Sequence, residues 1–428
     1  MFRTMLADRQ RHGITLMGPC ATALGLLVAW AWAAGAQQQQ PISSLDSFSF
    51  PVQQPFGSLQ LTRAGCCPYA GLPVLPQTRE GQQMAFVLGA QKAATTVLYQ
   101  ILTAHPNIVG RKASLSEQAG RLADHKDSNV TSSLDDFFND KEPHYFNGPP
   151  LRAAAYSTLL HYHSGFSHAK PGQMLLDGTP DYLETAWAAC RIKAAAPTAK
   201  LIVLLRDPVA RTFSHWRHLI KAEYWKTTPD FPRGRPDPFD QEVKREINHL
   251  IARNCTFRDA ASSKRSWNDC FRCNAWHCGK YLQARDPVDT LCDFQGAGYT
   301  GVVLHSLYAP QLAWWLSLFP KEQLHVMGTD YFSGSQDEAM AHTFEFLGVE
   351  HVPLSDKVVS SRKEKVSQHR DHSSKPELDP DTYVDALNEL YEFYRPLNEQ
   401  LYALLDSLGV KNFTRFPTAY IRGQGSGD

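Results

Sequence analysis

Two short segments of this chain hold residue types that can grip anions. Gly89-Ala90-Gln91-Lys92-Ala93-Ala94-Thr95-Thr96 combines a glycine, small side chains, a lysine and two hydroxyls. A glycine permits a tight turn, small residues let backbone N–H groups approach an anion, and lysine supplies a point charge. The segment is not a Walker A loop, because no second glycine precedes the lysine, which sits three residues after Gly89. In the second segment Arg206 is followed by Asp207 and Pro208, and Ser214 stands two turns into the next helix. Guanidinium and hydroxyl can there face one phosphate. The bland alternatives are a surface lysine at an ordinary strand-to-helix turn and a solvated helix face.

Both segments follow apolar runs short enough to be buried strands. Strand-like runs at about 84–88, 174–176, 201–205 and 323–327 each lead into a helical pattern, at about 95–104, 182–195, 209–221 and 336–347. Such alternation predicts an α/β fold, a parallel sheet with helices on both faces. Functional loops in such a sheet lie at the carboxyl ends of the strands, where helix amino termini point free N–H groups outward. Both anion-gripping segments sit there.

The pair of strand-end loops resembles the sulfotransferases that use 3′-phosphoadenosine 5′-phosphosulfate (PAPS), whose sheet is P-loop-NTPase-like. Lys141-Glu142-Pro143-His144-Tyr145-Phe146 is similar to the K-E-x-H-[FY]-F element of Golgi heparan sulfate 3-O-sulfotransferases. Asp177-Gly178-Thr179-Pro180-Asp181-Tyr182 corresponds to their K-T-P-x-Y stretch, and Leu307-Tyr308-Ala309-Pro310-Gln311-Leu312, with Trp315 and Phe319-Pro320, to a further signature. The resemblance implies that Gly89, Gln91, Lys92, Ala93, Ala94, Thr95 and Thr96 hold the 5′-phosphosulfate. Arg206 and Ser214 would hold the 3′-phosphate, with Tyr308 among the donor contacts. Glu142 would be the general base, assisted by His144, with Lys92 neutralising the leaving phosphate; an environment that raises the Glu142 pKa would improve the match. Lys141, Asp177, Asp181 and Arg217 are candidate contacts to a glycan acceptor, although Asp177 equally suits capping the turn after it. No metal is implied.

The chain departs from that family in two loops and in one insert. Ala93 and Ala94 stand where K-G-G-T is usual, and the late K-G-R-x-H-P loop is absent, leaving Arg362, Lys363, Lys365, Arg370 and Lys375 as basic candidates. The cysteine-rich insert at about 254–293 is more similar to the enzyme that 6-sulfates N-acetylgalactosamine 4-sulfate. Its five cysteines predict disulfides rather than a zinc site, since no second C-x-x-C pair completes the spacing; five is odd, so one cysteine either pairs outside the cluster, with Cys190 as the candidate, or stays free. Trp216, Tyr224 and Trp315 are read mostly as core with sugar stacking as the alternative. Arg211, Arg217, Lys221, Lys226, Arg233 and Arg235 form either an acceptor groove or a solvated face.

Composition is compatible with all of this. The 428 residues are 43% hydrophobic and 11% aromatic, and Lys+Arg and Asp+Glu both total 43, so the balance gives no support to a nucleic-acid partner. Residues 13–36 are uncharged and follow Arg3, Arg9 and Arg11. As a helix the run spans about 36 Å, enough to anchor residues 1–12 in the cytosol and the rest in the lumen. A cleaved signal peptide ending near Ala36 is the competing reading. Residues 37–82 read as a stem, 83–412 as the catalytic domain and 413–428 as a tail. Sequons at Asn129, Asn254 and Asn412 predict glycosylation in a lumenal compartment, and the resemblance implies that the anchored chain is a single-pass type II Golgi membrane protein. The readings from other classes are a P-loop kinase and an inactive lumenal binding protein.

Overall fold

The computed structural model describes residues 83–112, 141–147, 162–221, 237–259, 301–352 and 379–422. The chain divides into two units, Met1–Gln53 and Gln54–Asp428, and every described residue belongs to the second. The expected anchor and stem, Asn129, the cysteines from Cys270 to Cys292, Tyr224 and the basic residues 362–375 lie outside the described residues. Among the described residues no helix is long and apolar enough to cross a membrane.

Five parallel strands form the sheet: β1 (Met84–Gly89), β2 (Ile108–Gly110), β3 (Met174–Asp177), β4 (Lys200–Leu205) and β5 (Leu324–Gly328). Their order is β2-β3-β1-β4-β5. β1 is buried along its whole length, as is β4 from Leu201 onward, which is why both read as continuous apolar runs rather than alternating ones. Helices flank the sheet: α1 (Thr95–Ala104), α2 (Ala186–Ala195), α3 (Pro208–Lys221), α4 (Phe239–Ala252), α5 (Tyr308–Leu316), α6 (Thr329–Gly334), α7 (Gln336–Leu347) and α8 (Val384–Leu408).

Sequence expectation and structure agree closely at β1, α1, β4 and α7. Between β3 and α2 the expected single helix is instead a 3₁₀ turn, Pro180–Tyr182, followed by α2. Alanines at 186, 188, 189 and 195 let α2 approach its neighbours closely, and two indoles tie this stretch to α5. Trp314 Nε1 donates to the Ala186 carbonyl at 2.9 Å and Trp315 Nε1 to that of Leu183 at 2.9 Å. Trp315 is therefore core, as is Trp216, whose indole donates to the Asp237 carbonyl at 3.0 Å, and neither offers a sugar-stacking face. Cys190 and Cys255 are each disulfide-bonded.

Candidate active site

The first loop begins where β1 loses register against β4, between Val87 and Gly89. Gly89 adopts φ +150, and a Cβ there would lie 2.5 Å from the Pro180 carbonyl oxygen and 3.0 Å from Leu183 Cβ. Only glycine lets the end of β1 pass this close to the turn after β3. Ala90 N–H then donates to the Leu204 carbonyl at 2.8 Å, which fastens the loop to the end of β4. Lys92 and Ala94 both take left-handed conformations, φ 69 and 61, and α1 starts without a side-chain cap. Uncapped first-turn N–H groups beside a lysine suit an anion. Gly89→Ala is expected to distort this loop and weaken anion binding about tenfold or more, read by titration calorimetry with adenosine 3′,5′-bisphosphate (PAP).

Arg206 stands at the end of the neighbouring strand. Its Nη1 donates to the Lys92 carbonyl at 3.2 Å, so the two anion-gripping loops touch. Tyr308 is buried, and its hydroxyl donates to the Arg206 carbonyl at 3.0 Å, so it fixes the arginine backbone. Asp207 caps α3 by accepting from the N–H groups of Val209 (3.2 Å) and Ala210 (3.3 Å), and it also accepts from the Tyr391 hydroxyl at 2.8 Å. Ser214 is half-buried on α3, and the Arg217 guanidinium lies 5.7 Å from the Phe213 ring centroid. Arg211 is not part of a groove. It is fully buried, donating from Nε to Ser306 Oγ at 2.6 Å and from Nη2 to the Val302 carbonyl.

Glu142 is held from the end of β3. Gly178 N–H donates to the Lys141 carbonyl at 3.0 Å, and a Cβ at Gly178 would meet the Tyr99 ring at 2.5 Å and Lys141 Cγ at 3.0 Å. The stem of Lys141 thus lies against a bare backbone, and its buried ammonium pairs with Glu142 Oε1. His144 adopts φ 49, its N–H donates to Thr179 Oγ1 at 3.4 Å, and its Nε2 lies 3.7 Å from Glu142 Oε2. Its Nδ1 lies 3.7 Å from Asp181 Oδ2 and 3.1 Å from the Asn147 side-chain amide.

Burial opposes ionisation of Glu142. The Lys141 ammonium and His144 outweigh it and hold the carboxyl down at about 2. This is opposite to the raised value expected for a base matched to neutral pH, and its cause is the lysine at the adjacent position. His144 is itself shifted upward, burial notwithstanding, because the carboxylates of Glu142, Asp181 and Asp177 favour its cation.

Asp177 is no acceptor contact. It is completely buried, and its carboxylate accepts from Thr179 N–H (3.0 Å), Thr179 Oγ1 (2.7 Å), Tyr162 OH (2.9 Å) and Tyr182 OH (2.9 Å). Its capping role locks the turn that carries Thr179 and Asp181. The three supports of the site, behind β3, β1 and β4, are consecutive in the sheet, so the strand ends that carry them span only about 10 Å.

Residues 85–265 match the model of the Sulfotransferase family. The chain carries a sulfotransferase-family domain. Its curated relatives agree at low identity. The membrane-associated sulfotransferase kil1 of Dictyostelium discoideum is 24% identical over 75% of this chain, which spans 64% of that relative. Human heparan sulfate glucosamine 3-O-sulfotransferase 3B1 is 22% identical, over 90% of this chain and 85% of the relative. Mouse carbohydrate sulfotransferase 15 is 26% identical over 54% of this chain and 33% of its own length. Among solved structures, a sulfotransferase from Alicyclobacillus acidocaldarius superimposes with a TM-score of 0.44 at 20% identity, covering 77% of this chain and 96% of the other. The matched segment runs from β1 through α4 and contains the cradle, Glu142 and Arg206.

Proposed function

We propose that this sulfotransferase-family protein moves a sulfuryl group from PAPS to a hydroxyl of a glycosaminoglycan-type glycan, with Glu142 as general base. The observation that carries the reading is the Arg206 contact to the Lys92 carbonyl at 3.2 Å, which brings the two loops together and supports reading them as one anion site. The fit to a molecule with phosphate at both ends rests on the glycine-only passage at Gly89, the uncapped start of α1 and the guanidinium beside them. PAPS supplies an activated sulfuryl group on a phosphate that can depart as an anion.

The chain's own residues do the rest. Lys92 and the N–H groups of residues 94–96 would hold the phosphosulfate end, while Ala93 N–H closes the loop onto the Ala90 carbonyl at 3.1 Å, and together they would offset charge growing on the leaving oxygen. Arg206 and Ser214 would hold the 3′-phosphate, the guanidinium in a two-pronged contact. Glu142 takes the acceptor proton as the hydroxyl oxygen forms its bond to sulfur and the bridging oxygen–sulfur bond breaks. Arg217, whose guanidinium lies over the Phe213 ring, would meet an anionic acceptor. Exposed Asn254 and Asn412 and the disulfide-bonded Cys190 and Cys255 support a glycosylating, oxidising compartment such as the Golgi lumen, with the chain anchored through residues 13–36.

The test is transfer of labelled sulfate from PAPS by the full-length protein to a panel of native and desulfated glycosaminoglycans. Label is expected on at least one acceptor, and Arg206→Ala should raise the KM for PAPS about tenfold or more with a smaller change in kcat. Failure to bind PAP overturns the donor assignment. A protein that binds PAP yet labels nothing, in wild type and in Glu142→Gln alike, is instead an inactive binding protein.

A further inference from the structure

Asp181, a candidate acceptor contact, also stands beside His144. The His144 ring sits between two carboxylates, with Nε2 3.7 Å from Glu142 Oε2 and Nδ1 3.7 Å from Asp181 Oδ2. The Asp181 side chain is only 14% exposed, and its second oxygen, Oδ1, is buried without a hydrogen-bond partner. We propose that Asp181 is a positioning residue for the base: it holds the Nδ1 edge of His144 as N–H and keeps the Nε2 edge turned to Glu142. The proposal rests on the reading of Glu142 as general base.

The neighbours of the ring narrow the assignment. His144 is faced by Glu142, Lys141 and Asn147 from its own segment, by Asp181 from the 3₁₀ turn and by Asp177 from the end of β3. Asp181 in turn is faced by His144, Glu142, Lys141, Arg211 and Glu184. Asn147 cannot select the protonation state of Nδ1. Its amide lies 3.1 Å away and its Oδ1 has no partner, so turning the amide over presents a donor to bare nitrogen or an acceptor to N–H. A carboxylate can only accept. Asp181 is thus the group on that edge that favours Nδ1–H.

A second carboxylate matters because of what happens to the first. When Glu142 takes the acceptor proton it becomes neutral, and an imidazolium paired with it alone would be left as an uncompensated charge in a largely buried place. Asp181 keeps that cation paired throughout. Its removal therefore penalises the state with protonated Glu142 more than the resting state, which lowers kcat and leaves KM little changed.

The experiment follows carbethoxylation of individual histidines by diethyl pyrocarbonate across pH in the full-length protein, with peptide mass mapping. The reagent attacks neutral imidazole, His144 is 35% exposed on its side chain, and exposed His351 serves as the reference. In wild type, His144 should resist modification to higher pH than His351. Asp181→Asn should speed its modification at pH 7 about tenfold and shift the alkaline limb of kcat toward lower pH, and Asp181→Glu should restore both. A merely structural aspartate would change thermal melting without moving either profile. A folded Asp181→Asn protein with an unchanged His144 profile overturns the proposal. Should that variant not fold, Glu142→Gln decides: protection of His144 that persists supports Asp181, and protection that vanishes overturns it. The modification needs no turnover, so the two failures are distinguishable: an unchanged His144 profile in a protein that still transfers sulfate overturns the role of Asp181 alone, and a loss of sulfate transfer to every acceptor removes the base and this role with it.

Discussion

Glu142→Gln is expected to lower kcat by roughly 10²–10⁴-fold while leaving PAP affinity within about twofold, measured by sulfate transfer and calorimetry on the same preparation. The amide fills the same volume and still offers an oxygen to the Lys141 ammonium, so the buried lysine keeps an acceptor. What disappears is the ability to take a proton. Lys141 and His144 hold Glu142 ionised throughout the neutral range, so the proposed base is ready in the wild-type protein, and the loss does not come from a protonated fraction. PAP affinity serves as the internal control because its proposed contacts belong to the β1 and β4 loops, whereas Glu142 hangs from β3 through Gly178 and Lys141. A variant that keeps wild-type kcat would remove Glu142 from the chemistry. A variant that loses PAP as well would show that Glu142 supports the fold rather than the reaction.

The parts of this site that were legible in the sequence are those whose physics is local. β1 and β4 are buried on both faces, so their apolar runs are unbroken, and the turns that follow them announce themselves through glycine, lysine and the arginine–aspartate–proline sequence. β2 has three residues, too few to display any period. α4 was hidden because its buried face, Phe239, Glu242, Val243, Glu246, Ile247 and Leu250, includes two acids. Those acids are buried for a reason that only the fold supplies. Glu242 pairs with Arg245, and Glu246 accepts from the N–H groups of Val302 and Val303 at 2.9 and 2.6 Å, fixing the loop that also binds Arg211. Asp177 and Arg211 looked like acceptor groups for the same reason, since a charge satisfied by hydrogen bonds in the interior has the same letter as one that faces a substrate. The depressed pKa of Glu142 was in principle readable from its neighbour. Adjacent residues pair only when the backbone turns their side chains together, however, and here the bare backbone of Gly178 allows that turn.

Lys141→Met is expected to invert the pH dependence of stability. In wild type the Glu142 carboxyl sits at about 2 against an ordinary 4.5, so its pairing stabilises the fold fully above about pH 4.5, by about 3 kcal/mol at most, and the contribution fades as pH falls toward 2. Methionine keeps the buried stem but removes the ammonium. Burial, which opposes ionisation, then meets only His144, and an acid left without its main partner costs about 3–5 kcal/mol at neutral pH. The sign follows directly: a carboxyl that folding now pushes toward protonation loses stability as pH rises, so the variant should melt higher at pH 4.5 than at pH 7. An acid limb should also enter the kcat profile within the measurable range, because the base now has a protonated form to titrate. Adding Glu142→Gln to Lys141→Met removes the stranded charge and should recover most of the lost stability at pH 7, so the double variant outlasts the single one. A single variant that melts like wild type at both pH values would mean that the lysine and the glutamate are not paired in solution. The low pKa of Glu142, and with it the ready carboxylate that the proposed reaction needs, would then require another source.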